Sequence, residues 1–225
     1  MNLPRTHRRG GPRPRALYAL VSLVVVILAS VVVTAPAASS KSPHEVDPAT
    51  LQPTLNPNFA PWSCFEAGVG VTCQGSFDAT YNEPIGLFCA GQEVWIQGRA
   101  HEQMTRWHTG DGLATKTRVQ LSYPADVFSL SPTGEGPSIT FSGHFNRHYT
   151  YAVPGDPDSR TLTERGVIYF GTADGRVVFK DVGTVTFEPG QDFETIASLH
   201  GLHDYYSSYP NEDTTIDSLI CDTLT

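Results

Sequence analysis

The chain has no Gly-x-Ser-x-Gly elbow, no glycine-rich phosphate loop, no dinucleotide fingerprint and no His-Glu-x-x-His, so the common enzyme classes find no anchor in it. Its four cysteines show no Cys-x-x-Cys spacing, which removes the usual zinc frameworks. Positive charge is scarce beyond the N-terminus. The first 37 residues hold five of the fifteen Lys and Arg and none of the 23 Asp and Glu, so the remainder carries a formal net charge of −13. Nucleic acid is a poor partner for such a surface. Helical periodicity is missing until the last dozen residues, and only two methionines are present.

The N-terminus reads as an export address. Arg5, Arg8, Arg9, Arg13 and Arg15 precede an uncharged run from Ala16 to Val33 and then "TAPAASS". A signal peptide over residues 1–37 is expected. The alternative is an uncleaved anchor, the one route by which the chain would meet a membrane. Either way the rest is placed in the secreted fraction or on the extracellular face of the cell envelope. The 188 residues that follow suit one domain able to bury its own core.

Residues 38–61 contain Pro43, Pro48, Pro53, Pro57 and Pro61 without apolar periodicity, which predicts an extended tether. The β-barrel domain is expected over residues 62–225; from about Val69 onward, short β-rich runs alternate with Gly, Pro, Asp and Asn at the spacing of an antiparallel sheet. "DTTIDSLICDTL" then places Ile216, Leu219, Ile220 and Leu224 on one stripe of a short helix. In an exported chain four cysteines favour two disulfides, with three pairings open. Cys64 and Cys73 flank "FEAGVGVT" and could close a hairpin, which leaves Cys89 to meet Cys221. That longer bridge would constrain the unfolded chain by about 4 to 5 kcal/mol.

"SGHFNRHYTYAVPG", residues 142–155, holds two histidines four apart, a plausible metal pair on a helix. Alternation argues for strand instead. The odd positions are Phe141, Gly143, Phe145, Arg147, Tyr149 and Tyr151; the even ones are Ser142, His144, Asn146, His148 and Thr150. With the odd face inward, both histidines point out and originate about 13 Å apart, too far to share one ion. Arg147 is then a cation on an apolar face.

The next strand offers it a partner. In "RTLTERGVIYFGTADG" the apolar set is Leu162, Gly166, Ile168 and Phe170, with Glu164 as its one charge. With "PGDPDS" as the loop, Tyr149 faces Leu162, Arg147 faces Glu164 and Phe141 faces Phe170. "ADGR" is an Asp-Gly hairpin pairing Ala173 with Arg176. It places Phe179 opposite Phe170, Gly183 opposite Gly166, Phe187 opposite Leu162 and Asp181, inward, opposite Ile168. The stacked glycines predict a bend or close approach. An inward Arg147–Glu164 pair is cheaper than either charge alone.

In "LHGLHDYY", His200, His203 and Asp204 have the residue types of a divalent-metal site, but Gly201 and the missing further ligands favour a surface turn. Trp62, Trp95 and Trp107 could form a sugar platform, although packing is the commoner use. No metal and no cofactor is expected.

Four stretches carry a resemblance: "LFCAGQEVWIQG", "ITFSGHFNRH", "GRVVFKDVGTVTFEPG" and "LICDTL". Together they resemble the uncharacterised exported β-barrel proteins of high-G+C Gram-positive bacteria. The resemblance spans Cys89 to Cys221 and implies that pairing, and it brings no reaction or catalytic residue. Cys64, Cys73 and "HGLHD" lie outside it.

The expected fold is all-β: one antiparallel β-barrel or strongly curled sheet of about eight strands with a short C-terminal helix, a sandwich being the alternative. The expected function is non-catalytic binding of a small molecule or cell-envelope component in or at the mouth of the barrel. Arg147, Glu164, Asp181, Tyr149 and Tyr151 are the ligand-binding candidates. A secreted hydrolase or isomerase using Arg147, Glu164 and Asp181, or a protein-interaction module, are the alternatives.

Overall fold

The computed structural model describes residues 44–210 and 212–225; the expected leader and residues 38–43 lie outside them. Eight antiparallel strands follow one another as a meander: β1 (Ser63–Ala67), β2 (Gly70–Cys89), β3 (Gln92–Thr109), β4 (Ala114–Ser129), β5 (Ser138–Tyr151), β6 (Arg160–Ala173), β7 (Arg176–Phe187) and β8 (Ile196–His203). One helix, α1 (Glu212–Leu224), ends the chain. The two-residue Asp174-Gly175 turn has both residues at positive φ, as a tight hairpin matching strand twist requires.

The sheet is strongly curled but not closed, since β1 pairs with β2 alone and β8 with β7 alone. Its curl is visible in one core cluster that joins Met104 of β3, Val119 and Leu121 of β4, Phe145 of β5, Leu162 and Ile168 of β6, and Val185 and Phe187 of β7. Short 3-10 turns complete this core: residues 57–59 pack on β2 and insert Phe59, and residues 206–208 pack beside β8 and insert Tyr206. At the other end α1 buries Ile220 and Leu224 against Val94, Ile139, Phe141 and Phe179, with Ile216 and Leu219 at the margin, as its stripe predicts. Both expected disulfides are formed, Cys64–Cys73 across β1 and β2, and Cys89–Cys221 tying α1 to the end of β2.

The proline-rich segment is not a free tether from residue 44 onward. Val46 N–H bonds Cys64 O at 3.0 Å, and Gln52 exchanges backbone hydrogen bonds with Gly112 and Ala114. Leu51, Leu55 and Phe59 are buried. Proline forbids a periodic element but not packing, so scattered apolar residues between prolines each seal a different part of the domain.

Most of the register follows the alternation: Tyr149 faces Leu162, Arg147 faces Glu164, Ala173 faces Arg176, and Gly166 faces Gly183. Between them Tyr169–Gly171 is displaced by one. One extra residue of β6 stands opposite Gly143, so Phe141 meets Gly171 rather than Phe170, Phe179 also meets Gly171, and Asp181 faces Tyr169 rather than Ile168. This bulge lets Ile168 and Tyr169 both pack on the core, and Gly171 fits between Phe141 and Phe179 because a side chain there would strike both. The paired glycines extend into a row of three, Gly166, Gly183 and Gly201, at φ of 137°, 153° and 129°. A Cβ at each would collide with neighbouring backbone, so along this row the strands approach too closely to admit a side chain.

Candidate functional site

The site lies where rows of inward residues run across β3 to β7. One row reads Met104, Val119, Arg147, Glu164, Val185, and the next reads Arg106, Thr117, Tyr149, Leu162. Arg147 thus sits between an apolar neighbour and its carboxylate. Its Nε donates to Glu164 Oε1 at 2.6 Å, and Tyr206 Oη donates to Oε2 at 2.6 Å. Glu164 is fully buried, whereas the Arg147 side chain is 30% exposed and reaches toward solvent. Its guanidinium also lies 5.3 Å from the Phe145 ring and 5.1 Å from the Phe193 ring. Burial opposes the Arg147 charge, but the Glu164 carboxylate outweighs it and holds the pKa above the ordinary arginine value.

Arg147, Tyr149 and Tyr151 border a cavity of about 240 Å³, together with Arg106, Arg160 and Thr117. Phe59, Met104 and Val119 supply an apolar wall, and Glu102 adds a carboxyl group. Arg160 Nε donates to Asp192 Oδ2 at 2.6 Å, and its guanidinium lies 5.0 Å from the Tyr149 ring. In Arg147 and Arg160 alike, Nε is engaged by a carboxylate, and the terminal nitrogens have no hydrogen-bond partner among the described residues.

Arg106 differs from both. It is 8% exposed and makes no ion pair among the described residues. Its Nη1 donates to Pro53 O at 2.9 Å, and its buried Nε has no partner among the described residues. Beside it the buried Thr117 Oγ1 is likewise unpartnered. Burial, with Arg160 nearby, pulls the Arg106 pKa below its ordinary value. Burial pushes the Glu102 carboxyl up, against the opposing pull of Arg147. A buried cation and a buried hydroxyl facing one cavity are costly unless something occupies it that accepts their hydrogen bonds.

Two of the expected site residues stand elsewhere. Glu164 touches the cavity only through Arg147. Asp181 is fully buried and does not border it: Oδ1 lies 2.7 Å from His203 Nδ1, while Oδ2 accepts the backbone N–H groups of Tyr205 and Tyr206 at 3.0 and 3.1 Å. Burial raises its pKa, with the His203 and backbone hydrogen bonds opposing. Asp181 therefore fixes the backbone that aims Tyr206 at Glu164. It acts on the site from behind.

His203 is not on a surface turn. It ends β8, its side chain is 2% exposed, and its Nε2 lies 3.0 Å from His200 O. Gly201 reads as a turn signal in the sequence, but its positive φ serves the glycine row, whose missing side chains leave room for the His203 ring. His144 and His148 lie on the outward face opposite Ser122 and Arg118. Among the described residues no three His, Cys, Asp or Glu converge on a metal position. Trp95 and Trp107 lie twelve positions apart on one strand, about 40 Å at the usual rise, and Trp62 packs on Phe59, so the three share no platform.

Arg106, Arg160, Thr117 and Glu102 were not picked out in the sequence. On β3 polar and charged residues occupy both faces, so "HEQMTRWH" has no apolar set to declare which parity is the core. Comparison with protein-family models, curated proteins and solved structures returned no match.

Proposed function

We propose that the chain is an exported, non-catalytic binding protein that holds a small organic anion in the arginine-lined cavity at the mouth of its curled sheet. The observation that carries this is Arg106, a buried guanidinium that has, among the described residues, no partner for its Nε and no ion pair. Thr117, Arg147 and Arg160 line the same volume and add further donors to it. Arginine donors suit carboxylate, phosphate or sulfate. The wall of Phe59, Met104, Val119 and Tyr149 suits an apolar body attached to that head. A volume of about 240 Å³ favours a compact ligand.

Two disulfides support an oxidising compartment, in line with the expected leader. No helix among the described residues is long and apolar enough to cross a membrane. Glu164 and Asp181 are enclosed and already hydrogen-bonded, which disfavours the hydrolase or isomerase reading built on them.

Calorimetry with benzoate, inorganic phosphate and the neutral benzamide tests the reading. At least one anion is expected to bind, benzamide to bind far more weakly, and Arg106→Met to abolish the heat while the fold persists. Absence of binding by both anions to a folded, disulfide-bonded chain would overturn it.

A further inference from the structure

A second cavity, of about 330 Å³, lies at the opposite end of the interior, where β4, β5 and β6 meet α1. It shares no residue with the arginine-lined one, and its chemistry is the reverse. Five aromatic rings wall it: Tyr123, Phe128, Phe141, Tyr169 and Tyr205. They form a box rather than a stack. Phe141 meets Phe128 at 86° and Tyr169 at 83°, while Tyr169 meets Tyr123 at 52° and Tyr205 at 57°. Among the described residues that line it, Asp126 is the one carboxylate and there is no cation.

Asp126 is 9% exposed. Its Oδ1 accepts the Tyr81 hydroxyl at 2.5 Å, and among the described residues its Oδ2 has no hydrogen-bond partner and no cation pairs with it. The backbone is shaped to put it there. Along β4 the inward parity is odd through Tyr123, which pairs with Gly143; past Pro124 and Ala125 the register shifts, so that Asp126 pairs with Phe141 and turns inward in its stead. That bulge gathers Tyr123 and Asp126 on the same side of the sheet. Two glycines clear the space, since a Cβ at Gly98 would strike the Asp126 carboxylate and one at Gly143 would strike the Tyr123 ring. Burial alone raises the Asp126 pKa, with only the Tyr81 hydrogen bond opposing.

A lone carboxylate inside an aromatic box lacks its counter-charge. An ammonium ion supplies it, because ring faces attract a cation and Asp126 Oδ2 is open to accept an N–H bond. We propose that this cavity is a second binding site, for a small organic ammonium ion, with Asp126 as the counter-ion and the five rings as the cage. The site stands on residues separate from the anion cavity, so either assignment can fail without the other.

Benzylammonium chloride and the neutral benzyl alcohol, titrated into the full disulfide-bonded chain and followed by calorimetry and tyrosine fluorescence, test it. Benzylammonium is expected to bind about tenfold or more tightly than benzyl alcohol. Asp126→Asn, which keeps the Tyr81 bond and the shape, is expected to remove that preference and leave benzyl alcohol unchanged. Equal affinity for the two probes, a preference that survives Asp126→Asn, or no binding of benzylammonium at millimolar concentration would overturn the proposal. The two-probe comparison on the wild-type chain stands by itself should the variant not fold.

Discussion

The phenol of Tyr206 donates to Glu164 Oε2, the oxygen that Arg147 leaves open, so the buried carboxylate is satisfied on both sides. Tyr206 is held in turn by its own N–H on Asp181. A chain of polar contacts therefore runs from the partly exposed Arg147 through Glu164 and Tyr206 to the enclosed Asp181 and His203. Removing any interior member strands its neighbours in a medium that does not solvate them.

Glu164→Ala is expected to destabilise the chain by about 3 kcal/mol, since an ion pair broken on one side leaves the other charge uncompensated, and the partial exposure of Arg147 keeps the loss toward the lower end. Tyr206→Phe is expected to cost about 1 to 3 kcal/mol. The two should be strongly non-additive in urea unfolding, because both act on one carboxylate. A Glu164→Ala chain as stable as wild type would refute the pairing as a structural element.

Thr117→Val is expected to act in opposite directions on stability and binding. Its hydroxyl is buried without a partner among the described residues, so the isosteric methyl should raise stability by about 1 kcal/mol. The same change removes a donor from the anion cavity and should weaken benzoate or phosphate binding. Thermal unfolding and calorimetry on the one variant read both; a loss of stability would show that the hydroxyl is satisfied in solution.

Anion binding should strengthen as pH falls. Burial raises the Glu102 pKa, so this carboxylate loses its charge earlier on acidification than an exposed one would, and the cavity becomes more positive. Glu102→Gln should give tighter binding at neutral pH and a flatter profile. Unchanged affinity and slope in that variant would remove Glu102 from the site.

His108 should contribute an acid-sensitive component of stability. It is 4% exposed, and burial together with the nearby Arg106 charge lowers its pKa to about 4, against the opposing pull of the Val71 backbone. The unfolded chain, with a histidine pKa near 6.5, takes up that proton first. Stability from this group is therefore complete above about pH 6.5 and falls as pH drops toward 4, by on the order of 3 kcal/mol. His108→Phe should flatten this part of the curve of unfolding free energy against pH, and an unchanged slope would mean that His108 is solvated.

Strand parity made one half of the candidate site legible. On β5 and β6 the apolar residues fill one face, so a single Arg and a single Glu of the same parity stand out, and the Asp-Gly turn carries that register into β7. The bulge in "VIYFG" was not legible, because none of its residues demands an extra position and the slip brings both Ile168 and Tyr169 onto the core. Pro124 in "YPAD" was the one local sign of the other bulge, since a proline inside a strand cannot donate to the ladder. The burial of Leu51, Leu55 and Phe59 was equally hidden, because non-periodic contacts leave no period to detect.

What the linear chain determined by itself was the all-β class, the C-terminal helix and the facing of residues 147 and 164, because alternation along a strand and the geometry of a two-residue turn are local properties. What tertiary structure alone decided was which inward residues share a volume. Arg106, Thr117, Tyr149 and Arg160 come from four strands, and Asp126 shares a cavity with Tyr169 and Tyr205 because the sheet curls and slips at its bulges. Those contacts join positions far apart in sequence, and their energy exists only once the sheet has curled.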